Sequence, residues 1–204
     1  MKTQFRHILE ELQHHLPYTI FSVAVGMVTL GILTVLVDVD RFPQASRELF
    51  HVFHPLHMLF SAAATTAMFW RYDKKLFKAL FIGFVGSVGI CGISDIFIPF
   101  VAGSLLGVKM ELHICIVVHP MLILPFVFFG IFMGFILPTV LESTIFSHAA
   151  HVLVSSMASI FYLVSFGLVD WIPVGGMVFI YTVLAVMIPC CTSDIVFPLL
   201  FVKK

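Results

Sequence analysis

Cys91-Gly92-Ile93-Ser94-Asp95-Ile96-Phe97-Ile98-Pro99 is matched 99 positions later by Cys190-Cys191-Thr192-Ser193-Asp194-Ile195-Val196-Phe197-Pro198, the shared pattern being C-x-x-S-D-I-x-x-P. Asp95 and Asp194 are the only acidic residues well inside the apolar stretches of the chain. A carboxylate in hydrocarbon costs about 2.5–3.5 kcal/mol or more unless it is paired, neutralised or bound to a cation. Each of these sits beside a thiol, a hydroxyl and a proline. The pattern predicts a polar site inside a membrane, present twice.

The surrounding sequence supports a membrane setting. Of 204 residues, 60% are hydrophobic and 11% charged, with a mean hydropathy of +1.10. A soluble domain of this size has no use for so much apolar surface. Six stretches reach the roughly 20 apolar residues that a span needs, at 17–37, 49–70, 77–103, 112–138, 148–169 and 173–201. The third, fourth and sixth exceed that length and contain proline, so they are expected to tilt, bend or break, the third and sixth near Pro99 and Pro198. Residues 1–16 read as a polar, amphipathic cytoplasmic lead-in, with no cleavable signal peptide visible.

Charge sets the expected orientation. With both termini in the cytoplasm, that side holds Lys2, Arg6, Arg71, Lys74, Lys75, Lys78, Lys203 and Lys204, against Arg41, Arg47 and Lys109 on the other. This asymmetry predicts six spans in a plasma (inner) membrane with both termini inside. Zero formal net charge and the lack of any basic run argue against nucleic acid as a partner. Cys91, Cys115, Cys190 and Cys191 all fall in apolar stretches, a poor framework for secretory disulfides.

Further matches occur in the same order in both halves. His54-x-x-His57-x-x-x-Ser61-x-x-x-Thr65 corresponds to His148-x-x-His151-x-x-x-Ser155-x-x-x-Ser159 at an offset of 94. The first and fourth stretches align at offsets of 103–104 through His15, Pro17, Gly26 and Gly31 against His119, Pro120, Gly130 and Gly134. The expected fold is therefore an all-α polytopic membrane protein whose six transmembrane helices form a 3+3 inverted-topology repeat. Residues 17–107 form the first copy and 108–204 the second. An odd number of helices per copy makes the second enter from the opposite side, an arrangement characteristic of secondary transporters.

At about 100° per residue, His54, His57, Ser61 and Thr65 form one polar stripe, which His51 extends by a turn. His148, His151, Ser155 and Ser159 repeat it, and both stripes should face the bundle interior. Cys91 and Asp95, four apart, share a helix face, and Pro99 lacks the N–H that would bond the Asp95 carbonyl. Pro198 does the same to Asp194. Imidazole, thiolate and carboxylate together suit a borderline divalent ion, Zn²⁺ first, whereas Mg²⁺ or Ca²⁺ would ask for more oxygen ligands.

Topology sorts the expected ligands into an outer set, His54, His57, Cys91, Asp95 and His119, and an inner set, His15, His148, His151, Cys190 and Asp194. His51, His113, Ser61, Ser94, Ser155 and Ser193 are expected to support them. Single features have blander explanations: His7 and His14 suit a membrane interface, serines at helical spacing bond their own backbone, and glycines admit neighbouring helices.

The combination predicts a transporter for a divalent transition metal, with protons as a coupling ion because ligands must lose protons to bind. The bilayer and the metal ion are its expected partners, and a homodimer is expected because six helices leave little protein around a path. Competing expectations are a membrane-embedded zinc hydrolase acting on a lipid, a haem-binding electron carrier and a cation channel. Haem leaves Asp95 and Asp194 unexplained, and an enzyme needs one site where both halves keep the motif.

Overall fold

In the computed structural model, the backbone is described for residues 2–136 and 145–202, and side chains from residue 13 onward except 14, 137–148, 191, 194, 195, 203 and 204. The described residues are mostly helical and contain no strand. In chain order the helices are α1 (Lys2–Leu36), α2 (Phe42–Tyr72), α3 (Leu76–Leu105), α4 (Cys115–Val118), α5 (Pro120–Ile136), α6 (Ile145–Ser165) and α7 (residues 172–200). Helix α1 runs from Lys2 through Pro17 without interruption.

Among the described residues, three segments are long and apolar enough to cross a membrane: His15–Leu36, Leu76–Leu105 and Ile172–Cys190. They mark a membrane-embedded protein. Their outward faces are oily, with Val35 at 85% and Phe77 at 87% exposure, and α5 adds Met121 at 84%. Such surface is stable only against lipid or another protein. Helices α2 and α6 carry the histidine stripes, and they are the central pair: His54, His57, Ser61, Thr65, His151, Ser155 and Ser159 are all buried. A helix enclosed by protein can carry polar groups that a lipid-facing helix cannot.

The two halves exchange partners. Gly26 of α1 faces Ile160 of α6, where a Cβ would fall 2.6 Å from the isoleucine Cδ1. Its counterpart Gly130 in α5 lies against the Leu59 backbone and Ala62 of α2. Thus the first long helix of each half packs through a matched glycine onto the middle helix of the other. Gly134 extends the same close contact by a turn, since a Cβ there would stand 2.6 Å from the Ala63 carbonyl oxygen. Close backbone approach at small residues is the usual basis of helix packing in lipid.

The interruptions expected near the two prolines are π-helical turns, not breaks. Ile93–Phe97 and Thr192–Val196 adopt them, each followed by a short α-helical segment with proline in its first turn. In a π turn the N–H of residue i bonds the carbonyl of residue i−5, as Ile98 does to Ile93. Pro99 and Pro198 cannot do this, so the carbonyls of Ser94 and Ser193 need other donors. Ser159 Oγ donates to the Ser94 carbonyl at 3.2 Å, and Thr65 Oγ1 donates to the Ser193 carbonyl at 3.2 Å. The donors are matched residues of the two halves, and so are the acceptors. Ser94–Ser155 and Ser61–Ser193 hydroxyl pairs, both at 3.2 Å, repeat the exchange.

Candidate metal centre

Two turns of α2 and the π turn of α3 meet at one carboxylate oxygen. Oδ2 of the fully buried Asp95 lies 2.8 Å from His54 Nδ1 and 2.7 Å from His57 Nδ1. Oδ1 accepts from Ser155 Oγ of α6 at 3.3 Å. An ionised carboxylate has no proton to give, so both imidazoles donate from Nδ1, and each ring in its neutral form keeps a lone pair on Nε2. This is the tautomer in which histidine binds a metal, with a carboxylate behind it to orient the ring and raise its basicity.

The Nε2 edge of His57 meets the other half of the chain. Cys190 Sγ is 3.6 Å from His57 Nε2, and the His57 and His151 ring centroids are 4.8 Å apart. His57, His151 and Cys190 offer donor atoms that all lie within 4.8 Å of one another, and all three residues are buried. Tetrahedral zinc, with Zn–S of about 2.3 Å and Zn–N of about 2.0–2.1 Å, sets sulfur and nitrogen ligands about 3.6 Å apart. The Cys190–His57 separation equals that value. Three ligands leave a fourth coordination position, and soft sulfur with imidazole nitrogen favours zinc-like ions over magnesium or calcium.

A second group lies at the end of the bundle formed by the 37–41, 106–114 and 166–171 connections. His51, His113 and His119 bring their ligand atoms within 4.8 Å of one another, His51 and His113 half-buried and His119 exposed. This regroups the expected outer set: His119 joins His51 and His113 and not Asp95. The inner and outer sets also mix, because His57 of the first half meets His151 and Cys190 of the second.

Cys91 stands apart from the imidazoles. Its thiol donates to Ser61 Oγ at 2.9 Å, within a hydroxyl cluster in which Ser193 Oγ donates to the Gly86 carbonyl at 3.0 Å. Its counterpart Cys190 contacts Ser155 Oγ at 3.4 Å, so the thiol–hydroxyl pairing is duplicated even though only Cys190 reaches two imidazoles. His15 is buried on α1, and among the described residues it joins neither three-donor group. The side chains of His148 and Asp194 lie outside the described residues. Of the four glycines at 83, 86, 89 and 92, only Gly83 and Gly86 face α2, against Thr66 and Thr65.

Beside His54, α2, α3 and the 112–123 segment line a half-open apolar pocket of about 240 Å³ that includes Met58, Ile96 and Phe97. No protein-family model, curated protein or solved structure matches the chain.

Proposed function

We propose that the chain is a membrane transporter for a divalent transition-metal ion, Zn²⁺ favoured, that passes through the His57–His151–Cys190 centre. One observation carries the reading: three donors suited to a borderline metal lie within 4.8 Å of one another in a buried position, supplied by both halves of the chain, with Cys190 Sγ and His57 Nε2 at the 3.6 Å that tetrahedral zinc sets between sulfur and nitrogen. A site between repeats is where alternating-access transporters hold their cargo. Asp95 then acts behind His57 as the charge that balances the ion, and proton release from Cys190 on binding offers a route to proton coupling.

Six spans in a 3+3 inverted repeat, residues 17–107 and 108–204, complete the proposal. The reciprocal contacts support it, because a contact made in both directions between matched residues is the mark of a twofold relation. Lys78 Nζ donates to the Phe201 carbonyl at 2.6 Å, so the C-terminal turn shares an end with the basic 73–75 connection. That end is assigned to the cytoplasm by its lysines.

Zn²⁺ flux into liposomes containing the purified protein tests the reading, with Cys190→Ser and His151→Ala as comparisons. Flux equal to protein-free liposomes, or unchanged in both variants, refutes it. The cavity beside His54 favours one second reading, an embedded zinc hydrolase whose lipid chain occupies that apolar space. Release of a fatty acid or headgroup from defined vesicles, without metal flux, selects it.

A further inference from the structure

We propose that His51, His113 and His119 form a separate metal site, open to the aqueous side, that captures the ion before it reaches the buried centre. The geometry is that of a metal-binding group. His51 Nε2 and His113 Nε2 lie in hydrogen-bond contact at 3.3 Å, and tetrahedral zinc sets two nitrogen ligands at the same separation, about 3.3–3.4 Å. The third ring, His119, has its centroid 5.1 Å from His51 and 5.4 Å from His113.

The three rings come from separate elements, and the surroundings hold them in place. His113 lies in the non-helical 106–114 connection, whose path is fixed by Tyr162. The Tyr162 hydroxyl accepts from the His113 N–H at 3.1 Å and donates to the Glu111 carbonyl at 3.0 Å. Phe166 stacks on the His113 ring at 4.7 Å and 14°. His119 sits where the chain passes from α4 to α5, next to Pro120. Such fixed rings lose little freedom on binding. Arg47 is the nearby cation that would repel a metal, but its guanidinium lies over Phe166 at 4.8 Å and pairs with Glu111 at 3.8 Å. An all-imidazole site with one exposed member suits Zn²⁺, Co²⁺, Ni²⁺ or Cu²⁺, which exchange with solvent more readily there than in the buried centre.

The route onward runs along α2, where His51, His54 and His57 follow one another at one-turn intervals. Phe50 stacks on His54 at 5.1 Å and tilts against His51 at 5.3 Å, keeping the ladder in register. The capture role rests on the transport reading above, while the binding chemistry does not.

Metal stoichiometry separates the two. Detergent-purified protein is titrated with Co²⁺ and then analysed for bound cobalt. The wild type should bind two ions per chain, the His113→Ala/His119→Ala variant one, and Cys190→Ser/His151→Ala the other. In liposomes, the first variant should raise the Zn²⁺ concentration for half-maximal flux about tenfold with maximal flux retained. A His113→Ala/His119→Ala variant that still binds as many ions as wild type overturns the site. An unchanged half-maximal concentration overturns the capture role. Absence of flux in the wild type refutes the transport reading and leaves the stoichiometry result standing.

Discussion

Asp95 Oδ2 lies 2.7 Å from Nδ1 of His57, which places the carboxylate one imidazole away from the Cys190 thiol. The negative charge therefore acts through the ring. Asp95→Asn keeps the size and removes the charge, so metal affinity should fall about 10–100-fold, as for other partners behind a metal-binding histidine. Competition with a chromophoric Zn²⁺ chelator measures it. An unaltered dissociation constant would show that Asp95 serves packing alone.

Cys190 is the one sulfur donor in the buried group. A Co²⁺-loaded protein should show near-ultraviolet sulfur-to-cobalt charge-transfer absorption, absent from Cys190→Ser and retained in Cys115→Ser. Binding should also release protons, so apparent affinity should weaken as pH falls and the metal competes with protons for thiolate and imidazole. Retention of the absorption in Cys190→Ser would assign the sulfur elsewhere.

Thr65 and Ser159 donate to the carbonyls that Pro198 and Pro99 leave without a backbone N–H. Thr65→Val and Ser159→Ala should each destabilise the fold by about 1 kcal/mol, since hydrogen bonds in membrane proteins are worth about 0.6–1.7 kcal/mol. The two costs should be similar and roughly additive, because the bonds share no partner. Unfolding of the variants in mixed micelles gives the values. A large cost at one position and none at the other would contradict the twofold relation.

Gly134 and Gly31 are matched residues with different surroundings. A side chain at Gly134 meets the Ala63 carbonyl, whereas nothing lies within 4 Å of a Cβ at Gly31. Gly134→Leu should lower the thermal midpoint strongly, with a cost of about 3 kcal/mol or more from overpacking. Gly31→Leu should leave it nearly unchanged. Equal behaviour would place the α5–α2 contact elsewhere.

The recurrence of Ser94-Asp95-x-x-x-Pro99 and Ser193-Asp194-x-x-x-Pro198, the polar stripes and the apolar stretches are local properties, and the chain carries them in plain view. Helix formation, the distortion before each proline and the inward face of α2 and α6 follow from backbone chemistry and from the cost of polar groups in lipid. Which donors meet is a different kind of fact. His57 and Cys190 are 133 residues apart, and His51 and His113 are 62. Both pairings depend on how α2 crosses α6 and where the 106–114 connection folds back. Spacing along a helix specifies a face but not the residue opposite it. Duplication therefore pointed to two equivalent ligand sets. Tertiary packing instead placed His57, His151 and Cys190 in one buried group, His51, His113 and His119 in another, and Cys91 among the hydroxyls.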